Sequence, residues 1–174
     1  MRRPVKSTGF TLIELMVTIA VLAIIVSIAA PAMGDFIVRQ RVSSRASELL
    51  STLALARMEA IKLNSKVVVL PVGNGSDGWN SGWCVGPGNI ANCQDSNVSR
   101  RFEAQSSATI SSDYLLSSNK LTFRRDGTLA SGLSARPFKI SSPQLKANGT
   151  DARCIDLNAV GRATIREIGR DASC

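Results

Sequence analysis

The feature that most constrains this chain is an apolar run at residues 10–33, in which Glu14 is the only charged residue. Folded as an α-helix, these 24 residues span about 36 Å, enough to cross the hydrocarbon core of a bilayer. A secretory signal peptide has a shorter apolar region followed by a cleavage site of small residues, and no such site follows this run cleanly. The run therefore predicts a transmembrane helix at residues 10–33, with the basic N-terminus on the cytoplasmic side.

Two details at the start of the run go beyond a plain membrane anchor. A carboxylate such as that of Glu14 costs about 2.5 kcal/mol or more at the centre of a bilayer, so a carboxylate embedded there is a functional candidate. At the Gly9–Phe10 junction, a short leader with three basic residues meets the apolar run without a spacer.

The junction reads Gly9-Phe10-Thr11-Leu12-Ile13-Glu14, and it resembles the type III signal of type IV pilins and type II secretion pseudopilins. The resemblance implies that a prepilin peptidase removes residues 1–9 by cleaving after Gly9, and that the new N-terminus at Phe10 is N-methylated. Glu14 is then the residue that guides assembly, because its carboxylate is neutralised by the terminal amine of a neighbouring subunit. Pro31 falls where many pilins carry a proline that kinks the helix.

Residues 34–65 continue a helical pattern, since apolar residues recur at spacings of three and four while residues such as Arg45 and Glu48 supply polar positions. After Asn64 the pattern changes to short strands separated by turns, with a flexible loop expected at residues 106–118. Strands are expected at residues 66–72, 79–85, 100–103, 109–111, 136–141, 152–157 and 162–168, and a hairpin at 120–125 and 128–130. The predicted fold is α+β: a long N-terminal helix, transmembrane and then amphipathic, packed on a C-terminal antiparallel β-sheet domain at residues 66–174.

Later segments resemble one branch of these proteins, the GspH/FimT minor pilins; they are residues 56–62, 79–83, 123–127 and 154–162. This resemblance implies a minor pilin that helps to initiate or cap assembly of a type IV pilus. The implied partners are other major and minor pilins, the prepilin peptidase, the inner-membrane assembly platform and the lipid bilayer. The implied location is the inner membrane of a Gram-negative bacterium, with the β-rich domain in the periplasm, and then the extracellular filament. A GspH-like pseudopilin of type II secretion has the same fold and processing, and the sequence leaves that alternative open.

Positive charge is concentrated near the C-terminus. The chain has a net charge of +8, and residues 120–174 carry ten basic against five acidic side chains. Such a region attracts phosphate, or it simply keeps a surface solvated. Some FimT-like proteins take up DNA through a Gly-Arg-x-Arg motif, and the matching stretch here is residues 161–166, where Thr164 replaces the second arginine. The two arginines of this stretch would share one strand face. The candidate contacts to double-stranded DNA are Arg153, Arg162, Arg166 and Arg170; the alternative is a solvated face or a contact to other subunits.

All four cysteines lie beyond residue 80, which suits disulfides in an oxidising compartment. Three pairings are open, and Cys84–Cys93 with Cys154–Cys174 is favoured because each pair closes a short loop. A zinc site needs closely spaced ligand pairs, and the sequence has neither such a pair nor any histidine. We therefore expect no metal, no cofactor and no enzymatic activity, since histidine-based catalytic groups are absent.

Overall fold

A computed structural model describes residues 9–74, 78–106, 108–112, 120–130 and 138–174, and for residues 29–32 it describes the backbone alone. One long helix, α1 (Leu12–Lys62), precedes the strands, and a 3-10 turn (Gly78–Ser81) lies between the first two. The strands are β1 (Val67–Pro71), β2 (Gly82–Pro87), β3 (Arg100–Glu103), β4 (Thr109–Ser111), β5 (Leu121–Phe123), β6 (Phe138–Ser141), β7 (Ala152–Leu157) and β8 (Ala163–Ile168).

The chain divides into two compact units, Met1–Phe36 and Ile37–Cys174. In the first unit, every large apolar side chain between residues 10 and 28 is at least 51% exposed. Residues 29–32 divide α1 into two pieces, Leu12–Ile28 and Met33–Lys62, when its capacity to span a membrane is assessed. Across the described segments no single helix is both long and apolar enough to span a membrane alone, whereas these two pieces meet that test as a pair by length and composition. The side chain of Pro31 lies outside the described part of the chain, so its kinking role stays a prediction.

The described strands of the second unit form two four-stranded sheets, ordered β3-β2-β1-β5 and β4-β6-β7-β8. Every pairing within them is antiparallel. The predicted α+β fold with an antiparallel β-sheet domain is confirmed. The strands divide into two sheets because β4 pairs with β6, in register Ile110 with Ile140, and does not extend the sheet that holds β3.

The core of the second unit lies between α1 and the sheets. The predicted apolar stripe of the helix is fully buried from residue 42 onward, at Val42, Ala46, Leu49, Leu53, Ala56 and Ala60. It belongs to one apolar cluster with Trp79, Trp83, Phe123 and Phe138. Removing this apolar area from water is the main favourable contribution to holding the helix on the sheets.

Some predicted elements differ from the structure. Trp79, expected at the start of a strand, lies in the 3-10 turn, because the left-handed backbone of Gly82 (φ 100°) interrupts the extended chain before β2. The expected hairpin after residue 120 is reduced to β5 and a single bridge between Phe123 and Leu129. Its two arms are still joined, since the Arg124 N–H donates to the Thr128 carbonyl at 2.7 Å and the Ala130 N–H donates to the Thr122 carbonyl at 2.8 Å.

The flexible loop expected at residues 106–118 contains the short strand β4. Residue 107 and residues 113–118 lie outside the described part of the chain, as do residues 136 and 137 of the strand expected at 136–141.

Arg45 is a charged residue that lies unexpectedly in the core. We expected it at a polar position of the helix, but its side chain is 1% exposed. Its guanidinium carbon lies 4.0 Å from the centre of the Trp83 ring, and its Nη1 donates to the Glu48 carboxylate at 2.7 Å and to the Glu103 carbonyl at 2.8 Å. A buried cation needs such partners to offset its loss of hydration. The sequence spacing indicates this burial, because Arg45 precedes the buried Leu49 by four residues and so lies on the same face of the helix.

Candidate processing site and arginine surface

The processing site predicted from the sequence lies immediately before α1. Gly9 and Phe10 are exposed and have no regular structure, and the helix begins at Leu12. The Glu14 backbone N–H donates to Thr11 Oγ1 at 3.3 Å, which makes Thr11 the N-cap. Thr11 and Glu14 have the spacing of a capping box, a signal that the sequence analysis missed. Glu14 also lies in the first turn of the helix, where the helix dipole favours a carboxylate.

The fold places no steric demand on position 9. A Cβ added to Gly9 would meet no atom within 4 Å, and Gly9 does not have a left-handed backbone. A larger residue at this position therefore leaves the folded chain undisturbed.

Strands β7 and β8 position the candidate arginines, and they place them on two faces. Arg166 lies opposite Cys154 and Thr164 lies opposite Asp156 in the ladder. Because side chains alternate along a strand, Arg166 shares the face of Asp156, while Arg162 comes just before the first residue of β8 and Arg170 two residues after its last. Arg153 lies on the other face, where its Nη2 contacts its cross-strand partner Glu167 at 3.0 Å.

Most of these arginines already contact carboxylates. Arg166 Nε lies 2.8 Å from Asp156, and its Nη2 donates to the Cys174 carbonyl at 2.8 Å. Arg170 donates twice to Asp171, at 3.0 and 2.9 Å. These hydrogen bonds raise the pKa of Arg170 and lower the pKa of the Asp171 carboxyl group. Within the described part of the chain, the Arg162 guanidinium has neither a hydrogen bond nor an ion pair.

The cysteines form two disulfides. Cys84 is joined to Cys93 with Cα atoms 5.6 Å apart, and Cys154 is joined to Cys174 with Cα atoms 5.8 Å apart. The second bond ties the C-terminal residue to β7, beside Arg166. Among the described residues, no group of His, Cys, Asp or Glu side chains is arranged to hold a metal ion.

Gly161, the first residue of the Gly-Arg stretch, has a structural role that the sequence analysis missed. Its φ is 76°, and Gly127 in the facing turn has a φ of 78°. A Cβ at Gly161 would overlap the Gly127 carbonyl oxygen. The Leu129 N–H donates to the Ala159 carbonyl at 3.0 Å, which joins the two turns. This close approach of backbones explains the glycine without any ligand.

Comparisons with known proteins agree with the fold and the motif. The family model of the type II transport protein GspH matches residues 45–161, and the prokaryotic N-terminal methylation motif matches residues 5–30. No curated protein sequence is significantly similar to the chain.

Three solved structures match the chain. Two crystal structures of the type IV minor pilin FimU from Pseudomonas aeruginosa have TM-scores of 0.58 and 0.60 at 22% and 23% identity, covering 71% and 74% of this chain and 91% and 90% of FimU. The minor pseudopilin EpsH from the type 2 secretion system of Vibrio cholerae has a TM-score of 0.48 at 11% identity, covering 75% of this chain and 98% of EpsH.

The family model covers more than half of the chain. The methylation motif and the apolar helix together fit a pilin anchored in the inner membrane, and pilins of this kind assemble with other pilins in a filament. The chain therefore belongs to the GspH family and is a minor pilin or pseudopilin, a structural subunit and not an enzyme.

Proposed function

We propose that this chain is a minor type IV pilin that helps to initiate or cap assembly of the pilus. A prepilin peptidase cleaves it after Gly9, and the new N-terminus at Phe10 is methylated. The observation that carries the proposal is the exposed apolar segment at residues 10–28, whose helix begins at Leu12, is capped by Thr11 and carries Glu14 in its first turn. The methylation motif covers this same segment.

The exposed helix explains both stages of such a subunit's life. A helix with apolar side chains on every face must be shielded from water. Before assembly, the lipid of the inner membrane surrounds residues 10–33 and shields them. On assembly, neighbouring helices replace the lipid. The Glu14 carboxylate then pairs with the terminal amine of a neighbouring subunit, which sets the register between them.

The folded unit that follows suits the periplasm and then the outside of the cell. Two disulfides close short loops in it, and such bonds form and persist in oxidising compartments. The inner-membrane assembly platform and the prepilin peptidase are accordingly expected to act on the N-terminal helix and leader, and other pilins are expected to contact both parts.

Uptake of double-stranded DNA is the weaker alternative. Its candidate contacts are Arg153, Arg162, Arg166 and Arg170, and three of these four guanidinium groups are engaged by a carboxylate. Arg153 also lies on the strand face opposite to Arg166. Partly neutralised arginines on two faces offer few phosphate contacts to one duplex, which favours the assembly role.

The proposal is tested with substitutions of Glu14 in the full-length chain, expressed in cells that lack the wild-type protein. Glu14→Ala is expected to be processed to the mature size, yet its amount in sheared filaments should fall at least about tenfold, the effect of losing about 1.4 kcal/mol. Glu14→Gln preserves the reach of the capping box but removes the charge, so it should fail like Glu14→Ala. Thr11→Ala removes the cap at a cost of about 1 kcal/mol but preserves the charge, and it should be incorporated almost normally.

Normal incorporation of Glu14→Ala would contradict the proposal. The same cells distinguish the pilus from type II secretion. Deletion of the chain should reduce surface pili and leave protein secretion intact, whereas a secretion defect with normal pili would assign the chain to a pseudopilus.

A further inference from the structure

A groove runs between helix α1 and strand β8 on the folded unit. Leu50, Ala54 and Met58 line one side, because residues four apart share a face of the helix. Arg162 and Ala163 line the other side, and the volume between them is about 360 Å³. β8 is the last strand of its sheet, so one side of the groove is an edge strand that lacks a neighbour among the described strands.

Two arginine side chains in this groove have unpaired nitrogen atoms among the residues that the structure describes. Arg57 lines the groove, and its Nε is buried without a hydrogen bond in the described part of the chain. Arg162 is exposed, and its guanidinium has no carboxylate or carbonyl partner within the described segments. The neighbouring Arg153, Arg166 and Arg170 differ, since each contacts a carboxylate. A buried, unpaired polar atom is costly, and a carboxylate placed beside the half-buried Arg57 side chain would offset part of that cost through its negative charge.

The surroundings of the two arginines are apolar. Met58, which lines the groove, is 60% exposed. Two apolar residues close to the lining residues in sequence are also exposed, Ile61 by 50% and Val160 by 55%. Ile165 lies on the strand face that elsewhere packs on the core, yet it is 38% exposed at the sheet edge. A cluster of exposed apolar side chains beside charged groups is typical of a protein-binding surface.

We propose that this groove binds a neighbouring filament subunit, which places an aspartate or glutamate carboxylate beside Arg57 and Arg162 and an apolar side chain against Met58. The inference rests on the proposed function, because it identifies a contact made within the filament. A protein partner is favoured over nucleic acid because half of the groove is apolar, and a phosphate backbone gains nothing from Leu50 or Ala54. A second copy of this chain is disfavoured because each mature copy keeps a net side-chain charge of +5, the +8 of the whole chain less the three basic residues of the leader, and would repel the other.

The test is photo-cross-linking in cells, with the full-length chain and a benzophenone amino acid at position 54. A second benzophenone at position 22, in the exposed apolar helix, serves as the reference for filament assembly. Cross-linked peptides are identified by mass spectrometry. We expect position 54 to cross-link to a pilin-family subunit at a segment that contains Asp or Glu.

The variants are chosen to separate a specific contact from general charge. Arg162→Glu reverses one charge of the groove and should reduce the cross-link at position 54 at least about tenfold, since close charge pairs across interfaces contribute more than about 1.4 kcal/mol. Arg162→Gln, which only removes the charge, should give a smaller reduction. Arg125→Glu is the matched control: Arg125 is also exposed and unpaired in the described structure, lies outside the groove, and should leave the cross-link unchanged.

Several results would overturn the inference. The inference is wrong if the cross-link at position 54 persists in Arg162→Glu. It is also wrong if the cross-link is lost equally in Arg125→Glu, or if it joins only copies of this chain. So would filter binding of a synthetic DNA duplex by the detergent-solubilised full chain that is lost in Arg162→Glu while the cross-link persists. Cross-links at position 22 but not at 54 would reject only this groove, whereas the absence of pilin cross-links at both positions would reject the proposed function as well.

Discussion

Gly161→Ala tests whether the glycine of the Gly-Arg stretch is structural. Gly161 has a φ of 76°, and its Cα hydrogen faces the Gly127 carbonyl oxygen, which a Cβ would overlap. The substitution therefore adds two costs. A left-handed backbone costs an L-residue about 1–2 kcal/mol, and overpacking against a backbone atom costs about 1–3 kcal/mol. The free energy of unfolding should fall by about 2–5 kcal/mol.

The assay is thermal unfolding of the full-length chain in detergent. At about 2–4 °C per kcal/mol for a chain of this size, the Tm should fall by about 4–20 °C. Gly149→Ala is the control, because a Cβ at Gly149 would meet the flexible Asp151 carboxylate and Gly149 lacks a positive φ; it should change stability by less than about 1 kcal/mol. If Gly161→Ala unfolds within about 2 °C of the wild type, the two turns do not constrain each other as described.

Three further changes test separate parts of the account. Gly9→Leu should fold normally, because position 9 is open, yet it should remain at precursor size on an immunoblot; a mature band would refute cleavage at this site. Thr52→Val removes the acceptor that lies 3.1 Å from the buried Trp83 Nε1, so thermal unfolding should show a loss of about 1–3 kcal/mol, with Thr52→Ser losing less. Replacing Cys84 and Cys93 by serine opens a loop of sequence separation 9 and should cost about 2.7 kcal/mol in the chain-entropy account; an unchanged Tm would contradict it.

Local pattern was enough to predict the bounds of several strands, including two, at residues 100–103 and 109–111, whose sequence signal is weak. The strands expected at residues 100–103, 109–111 and 152–157 have those same bounds in the structure. The buried stripe of α1 followed from spacings of three and four. The start of the helix at Leu12 was not predicted, although the spacing of Thr11 and Glu14 is that of a capping box and is visible in the sequence.

The surroundings of the arginines were not readable from the sequence, because they depend on strand register. Alternation placed Arg162 and Arg166 on one face, but the contact of Arg166 with Asp156 exists only because β7 and β8 pair in their particular register. A shift of one residue would move that carboxylate to the other face. For the same reason, the sequence did not reveal that Arg153 faces the opposite way. Division of the strands into two sheets likewise depends on long-range pairing.

Mass spectrometry of the chain recovered from sheared, washed filaments tests directly whether it is a processed filament subunit. The account predicts an N-terminal peptide that begins at Phe10 and carries one N-methyl group, in a protein present at low abundance relative to the major subunit. A chain that begins at Met1, a mature chain cut within the apolar helix, or the absence of the chain from filaments that are otherwise intact would contradict it.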